Sequence, residues 1–591
     1  VTLSIQPDSL YLRANPHQTH LGQIGLVLAN EDGEQIDIDA LKDIDQTLVL
    51  WEGRLVSRFS VGGQAVEVQT VCHPERDCAA AAISSGLLKT GRVKVSLRFP
   101  YPSAAWGNDP ADWTKPSKHQ THILKEEAGS TMISRTVDSL SYFCRVHHNG
   151  KLVRADRHEF LLYGPEDGGT LTFSVTFMPS ADDDAADDFE TIRQKAAAHW
   201  ETYWTSGGAI DLSESKDERW RELERRIVLS QYLVGIQSAQ QYPPAETGLT
   251  CTSWFGKFHL EMHWWHGVQF MLWGRGDLFE RSMAWYETIL PQARAIAQRQ
   301  GYAGVRWPKM VGPDGEDAPS GIGPLLIWQQ PHPIYYAELL YREKPTTETL
   351  EKYKAIVFET AAFMANFVKW DDVSEAFVLG PPLISAREFE PKRYAETKNA
   401  AFELAYWGWG LRTAALWRKR LGLEPMAMWE RIAGNLALLP EREGVYIEQK
   451  TPAVEDGGHP CMLAAWGVLP KSRMVNEATM TRTLEHVLRN WDWRDTWGWD
   501  YPMIAMTAAR AGRGDWAIEA LLLEVDKNRY LPNGDNWQRQ GLPIYLPGNG
   551  GLLTAAAMMA AGWEDGPSRN APGFPDDGQW VVKHEGLRKM P

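Results

Sequence analysis

Two carboxylates at the end of a proline-bearing loop are the first residues in this chain that can do chemistry. The segment Leu379-Gly-Pro-Pro-Leu-Ile-Ser-Ala-Arg-Glu-Phe-Glu390 runs into Thr397-Lys-Asn-Ala-Ala-Phe-Glu-Leu-Ala-Tyr406. Glu388 and Glu390 precede a helical pattern, on which Asn399 and Glu403 share one face at i, i+4. Cleaving a glycosidic bond takes a carboxylic acid to protonate the leaving oxygen and a second carboxylate opposite it. Glu388 suits the first role, because apolar neighbours raise a carboxyl pKa toward the working pH. Glu390 and Glu403 are candidate substrate-binding residues beside it. The second carboxylate has two candidates. Asp500 closes Trp491-Asp-Trp-Arg-Asp-Thr-Trp-Gly-Trp-Asp-Tyr-Pro502, a run of four Trp and three Asp before an apolar helix. Asp535 lies in Asn533-Gly-Asp-Asn536, which is equally suited to capping a turn.

Two further segments gather polar and aromatic groups. Thr252-Ser-Trp-Phe-Gly-Lys-Phe-His-Leu-Glu-Met-His-Trp-Trp-His266 holds Trp254, Lys257, His259, Glu261, His263 and Trp264. If helical throughout, it puts His259, His263 and His266 on one face. Its H-x-E-x-H order is not the H-E-x-x-H of zinc proteases, which misplaces the glutamate for metal work. No metal or other cofactor is expected. The second segment, from Gly301 to His332, supplies Arg306, Trp307, Gln330 and His332 across a loop rich in Gly, Pro and Asp. On this reading Trp254, Trp264 and Trp307 stack on sugar faces. Lys257, His259, Glu261, His263, Arg306, Gln330 and His332 hold hydroxyls.

The elements that must position these groups follow from periodicity. Up to about residue 180, apolar residues alternate with polar ones, as in Arg-Val-Lys-Val-Ser-Leu-Arg-Phe99 and Thr-Leu-Thr-Phe-Ser-Val-Thr-Phe177. That period marks strands with one buried face, and many in series predict a β-sandwich. An acidic cluster then precedes a helical run, as suits a helix N-terminus. Segments 217–241, 268–300, 348–369, 398–420, 425–438, 476–490 and 500–524 carry helical spacing. The expected architecture is a multidomain β + α chain: a β-sandwich over 1–182, a linker helix region over 183–216, and an (α/α)6 toroid barrel over 217–591.

Composition narrows the functions. The net charge of -15 argues against a nucleic-acid groove. No apolar run of about 18 or more residues suggests a membrane span. Five scattered cysteines make neither a disulfide framework nor a metal knuckle, and are expected as buried thiols. The start, Val-Thr-Leu-Ser-Ile-Gln-Pro-Asp-Ser-Leu10, lacks a signal-peptide pattern and an initiator Met. Localisation stays open between periplasmic or secreted, if a leader was removed, and cytoplasmic. Of 27 Trp, only Trp51, Trp106, Trp113 and Trp200 fall in the first 200 residues. That asymmetry suits an aromatic cleft in the helical part.

In this order, the segments resemble the six-hairpin glycosidases, in particular glycoside hydrolase families 65 and 95. Gly-Tyr-Ala-Gly-Val-Arg-Trp-Pro308 is similar to the family 65 stretch beginning G-A-R-[FY]-P-W. The Trp254–His266 stretch resembles the W-x-G-K-...-M-N-Y-W segment of family 95. The Glu388 loop takes the place of the family 65 G-P-D-E-Y and family 95 S-P-E-N loops. The resemblance spans about residues 185–563 and implies an (α/α)6 barrel, an inverting mechanism, Glu388 as general acid and Glu261 in place of a pocket aspartate. The family 95 water-activating aspartate would fall near Pro547, so that role is unmatched and passes to Asp500, Asp535 or another carboxylate. No phosphate-type cluster stands in the last loop, which disfavours a phosphorylase. The expected function is hydrolysis of a terminal glycosidic bond of an oligosaccharide or glycoconjugate. The alternatives are a polysaccharide lyase using His259, His263 or Tyr406, and a carbohydrate-binding protein without activity.

Overall fold

The computed structural model describes residues 18–103, 109–182, 187–250, 253–388, 393–452, 454 and 456–591. Glu390, Trp106 and Cys251 therefore lie outside the described residues. The chain divides into two compact units, with the boundary at Ser206/Gly207.

The first unit holds fourteen described strands: β1 (Gln23–Leu28), β2 (Lys42–Val49), β3 (Arg54–Val61), β4 (Gln64–Cys72), β5 (Cys78–Ser84), β6 (Val93–Arg98), β7 (Tyr101–Pro102), β8 (Ala111–Asp112), β9 (His119–Glu127), β10 (Ser130–Val137), β11 (Leu140–His148), β12 (Lys151–Asp156), β13 (Glu159–Tyr163) and β14 (Leu171–Met178). They form an antiparallel sheet of order β1-β6-β13-β12 and a larger one of order β2-β3-β4-β5-β14-β11-β10-β9, with β7 and β8 paired separately. The period-two residues are what joins the two sheets. Val93, Val95 and Leu97 of β6 share one hydrophobic core with Leu171, Phe173 and Val175 of β14. The Gly62-Gly63 turn between β3 and β4 has both residues at positive φ, which only glycine adopts without cost and which matches the strand twist. Helix α1 (Phe189–Thr205) is N-capped by Asp188, whose side chain accepts from Thr191 N at 2.8 Å. Phe189, Ile192 and Ala196 pack on Val71, Cys78 and Ala80 of the larger sheet. The helix thus belongs to the strand-rich unit.

The second unit is helical: α2 (Trp220–Gln237), α3 (His263–Leu272), α4 (Gly276–Thr288), α5 (Leu290–Arg299), α6 (His332–Glu343), α7 (Thr347–Phe367), α8 (Ala401–Arg420), α9 (Ala427–Gly434), α10 (Glu477–Asn490), α11 (Asp500–Arg510), α12 (Gly514–Leu521) and α13 (Leu546–Ala561). The sequence segment 268–300 resolves into three helices. Gly274 at φ +68 ends α3, and Pro291 opens α5. The stretch 332–343, where Tyr335, Tyr336, Leu339 and Leu340 are buried with their neighbours, is a further helix that amphipathic spacing does not reveal.

The helices fall into two kinds. Every residue of α3 and α11 is buried, as is nearly all of α13, while α2, α4, α7, α10 and α12 bury one stripe. The buried elements pack in a closed sequence: α3 on α6, α6 on α8, α8 on the 3-10 turn Cys461–Ala465, that turn on α11, α11 on α13, and α13 back on α3. The amphipathic helices pack against members of this series. The closure depends on small residues. A Cβ on Gly550 would stand 2.0 Å from the Trp265 carbonyl oxygen, and one on Gly551 would stand 2.8 Å from Pro502 Cγ. The Gly-Asn-Gly-Gly551 stretch is therefore where α13 crosses α3 and α11. Gly550→Ala should lower stability by about 3 kcal/mol, since neither backbone can yield cheaply. A thermal unfolding midpoint unchanged from wild type would contradict this.

Among the described residues no helix is long and apolar enough to cross a membrane. Cys78, Cys144 and Cys461 are buried free thiols, while Cys72 is exposed, against expectation. It stands at the last position of β4, where the alternation turns its side chain outward.

Candidate active site

The polar segment before α3 is not one helix. Phe258–His259 pairs antiparallel with Met310–Val311, and α3 begins only at His263. The common face of His259, His263 and His266 is therefore lost, because an extended residue does not continue the helical period. The same pairing creates the centre of the site. Glu261 N donates to Lys309 O at 3.2 Å, which sets the two side chains together, and Lys309 Nζ lies 2.7 Å from Glu261 Oε2. Lys309 also pairs with Glu388 and lies 5.4 Å from the centre of the Trp254 ring. Glu261 Oε1 accepts from Trp328 Nε1 at 2.8 Å, and His259 Nε2 lies 3.5 Å from Glu261 Oε2. Two carboxylates thus share one buried ammonium. Burial pushes the Glu261 carboxyl up to about 7 against the pull of Lys309, and the two carboxylates hold Lys309 protonated. Burial, reinforced by Lys309, keeps His259 neutral.

Glu388 is the accessible member, with its side chain 27% exposed beside a Glu261 at 2%. Its φ is +55, and its N–H donates to Ser385 O at 2.8 Å. The turn is held from two sides. Glu403, at the start of α8, accepts from Ala386 N at 2.7 Å, and Ile384 N donates to Leu325 O at 3.0 Å. Arg306 in turn fixes the Leu325 segment by donating to the carbonyls of Gly323, Leu326 and Trp307 and to Gln330 Oε1. Gln330 is likewise consumed, accepting from Trp307 N and donating to Val305 O. Arg306 and Gln330 are thus framework for the loop that meets the Glu388 turn.

The remaining candidates divide in the same way. Trp307 is fully buried and donates to Thr360 Oγ1 at 2.8 Å. Trp264 is buried against Trp265 and Tyr335. His263 is bonded to Tyr286 and Ser282. His332 Nδ1 lies 3.0 Å from the Tyr406 hydroxyl, and its Nε2 lies 3.2 Å from Glu261 O, beneath the Glu261–Lys309 pair. Burial holds His332 neutral, down at about 3. Lys257 lines a cavity of about 150 Å³ with Phe258, Val311 and Pro313, and burial lowers its ammonium to about 8. Glu388 does not line that cavity. Asn399 precedes α8 at φ +55 and exchanges hydrogen bonds with Leu379, so it shares no helix face with Glu403.

Asp500 and Asp535 separate. Asp500 is fully buried, accepts from Trp497 N at 2.8 Å, and has His459 Nδ1 at 3.0 and 2.9 Å from its two oxygens. Burial raises its carboxyl. His459 stacks on Trp499, which stacks on Trp328, the donor to Glu261. Glu246, Glu261, Glu388 and Asp500 all bear electrostatically on the buried Tyr545 hydroxyl. Asp535 instead accepts from Asn533 within its own turn, next to a Gly534 that rests on Leu229 and Leu233 of α2. Burial lifts it to about 6.

Lys309, His459, Tyr545 and Glu448 are site residues that sequence reasoning did not single out. Lys309 lies in the Gly301–His332 segment, and its isolation as a lysine between Trp307-Pro308 and Met310-Val311 was the available signal. Glu448 is buried, and burial with the charge of Glu403 raises it to about 8. Glu403 itself is raised by burial to about 7. A carboxyl raised above its ordinary value favours the fold below that value and loses the benefit as pH climbs through the raised one. Glu448→Gln, which keeps an acceptor for Met462 N, should therefore match wild type near pH 5. At pH 9 it should exceed wild type by on the order of 1 kcal/mol or more. Thermal midpoints across pH that run parallel for the two proteins would refute this.

Among the described residues no group of His, Cys, Asp and Glu could hold a metal ion. No family model and no curated relative matches the chain. Solved structures do. A putative kojibiose phosphorylase from the human microbiome aligns with a TM-score of 0.64 over 95% of this chain and 85% of that one, at 10% identity. A glycoside hydrolase family 92 alpha-mannosidase from Bacteroides thetaiotaomicron aligns at 0.42, 12% identity, over 91% and 74%. A rhamnosidase from Klebsiella oxytoca with rhamnose bound aligns at 0.39, 11% identity, over 94% and 98%. The chain shares its fold with the first of these.

Proposed function

We propose that this chain is a glycoside hydrolase that cleaves a terminal glycosidic bond of an oligosaccharide or glycoconjugate with inversion. The closed series of buried elements is read as the inner ring of an (α/α)6 barrel, and the two-sheet unit as a β-sandwich. The observation that carries the reading is an accessible carboxyl, Glu388, paired with the buried Lys309–Glu261 couple, which Trp328 and Trp499 link through hydrogen bond and ring stacking to the buried Asp500–His459 pair. Glu388 is the general acid and the Asp500 side activates water. Trp254 contributes a ring face, while Lys309 and Glu261 fix the acid. Arg306, Gln330, Glu403 and His332 act by positioning. Asp535 is left to its turn.

The test is a screen of aryl glycosides and natural oligosaccharides, with the anomer of the first-formed sugar read by NMR. Release of the inverted anomer supports the proposal, and absence of any released sugar overturns it. The fold shared with a phosphorylase favours one second reading, phosphorolysis. Running the screen with and without inorganic phosphate separates the two, since a phosphorylase releases a sugar phosphate. An unsaturated product would instead indicate a lyase.

A further inference from the structure

We infer that the group taking the proton from the attacking water is His459, held by Asp500, so that the second catalytic element is an imidazole–carboxylate dyad rather than a bare carboxylate. The inference takes the hydrolase reading as given and specifies its second half.

Asp500 cannot reach a water at the sugar directly. Its side chain is 0% exposed, and its oxygens are taken by His459 Nδ1 and by Trp497 N. His459 is the partner that faces outward, with its side chain 14% exposed. An ionised carboxylate only accepts, so the proton between the two sits on Nδ1 and the lone pair lies on Nε2. Among the described residues nothing bonds Nε2. The ring plane is fixed by stacking on Trp499, with centroids 4.4 Å apart and 26° between planes.

Two connections link the His459 loop to the Glu388 turn. Through the rings, Trp499 stacks on Trp328, which donates to Glu261, which pairs with Lys309, which pairs with Glu388. Through the loops, a Cβ on Gly458 would stand 3.2 Å from Arg387 Nε, so the residues just before His459 and just before Glu388 touch.

The step balances. A water O–H proton passes to His459 Nε2 as the water oxygen bonds to the anomeric carbon. The bond from that carbon to the glycosidic oxygen breaks, its electron pair stays on the leaving oxygen, and that oxygen takes the Glu388 proton. Asp500 neither gains nor loses a proton. It holds the tautomer and stabilises the imidazolium. Solvent then removes the His459 proton and restores that of Glu388.

The full chain is assayed on a dinitrophenyl and an alkyl glycoside of the sugar that the screen identifies. His459→Ala and His459→Gln should lower kcat by about 10²- to 10⁴-fold on both substrates. KM should shift far less. Azide, which needs no deprotonation, should restore His459→Ala turnover on the dinitrophenyl glycoside and yield a glycosyl azide. Asp500→Asn should lose turnover to a similar extent. Glu388→Gln should lose far more turnover on the alkyl glycoside, whose leaving group needs protonation, than on the dinitrophenyl one. Near-ultraviolet circular dichroism confirms that the variants are folded. His459 variants within about threefold of wild-type kcat overturn the dyad. So does a folded His459→Ala that is inactive and is not rescued by azide. A wild type that cleaves no glycoside overturns the hydrolase reading itself.

Discussion

Glu388→Gln should cut kcat on an unactivated glycoside by about 10²- to 10⁴-fold while the protein stays folded. The range corresponds to roughly 3–5 kcal/mol of transition-state stabilisation. The amide keeps the shape and an acceptor for Lys309 but carries no acidic proton for the leaving oxygen. The fold should tolerate the change for three reasons. Glu388 is part-exposed, its backbone turn is made by its own N–H to Ser385 O, and Lys309 retains Glu261 as a partner. KM should move little, because what is lost is an interaction formed as the bond breaks. Steady-state kinetics alongside a thermal midpoint check this. Wild-type kcat in the variant would remove Glu388 as the acid, and a collapsed midpoint would show that its role is structural.

Several parts of this molecule were legible in the sequence for identifiable reasons. The strands of β6 and β14 declared themselves because one face of each is buried, which imposes strict alternation. Amphipathic helices such as α7 and α10 did so for the same reason at period 3.6. Among the buried elements, α11 lay within the helical segment 500–524, whereas α6 and α13 lay in no such segment. α13 carries no polar stripe to set a phase, and in α6 the polar Glu338 is buried among apolar residues, so spacing alone left both unassigned. The site follows the same division. Glu388 was visible because a proline-bearing loop displays it just before a helix. Lys309 and His459 gain their meaning only from partners distant in sequence, Glu261 through a strand pair and Asp500 through a loop lying against α11. Arg306 and Gln330 looked like sugar ligands because polar side chains in a Gly- and Pro-rich loop usually face water. Here they turn inward to satisfy the loop's own carbonyls.

The larger stability effect should come from Lys309. Among the described residues it is the cation that pairs with both Glu261 and Glu388, with a side chain only 5% exposed. Lys309→Met fits the space with similar volume but leaves Glu261 buried beside no positive charge. Removing one partner of a buried pair typically costs 3–5 kcal/mol, and about that much should be lost near pH 8. The sign of the pH dependence follows from Glu261. Its carboxyl is raised by burial to about 7 even with Lys309 present, and without Lys309 burial and the nearby Glu388 charge both raise it against the Trp328 hydrogen bond. A raised carboxyl favours the fold below its ordinary value and loses that benefit as pH rises through the raised one. The Lys309→Met deficit should therefore be small near pH 5, where Glu261 is protonated in the fold, and largest near pH 8. The double variant Lys309→Met with Glu261→Gln should recover most of the loss at pH 8, because the amide still accepts from Trp328 Nε1 without burying a charge. Its activity should stay low, since Glu388 is no longer anchored. Thermal midpoints of the three proteins at pH 5 and pH 8 decide the matter. A Lys309→Met deficit equal at both pH values, or unrelieved by Glu261→Gln, would show that Lys309 supports the fold by packing and not by balancing Glu261.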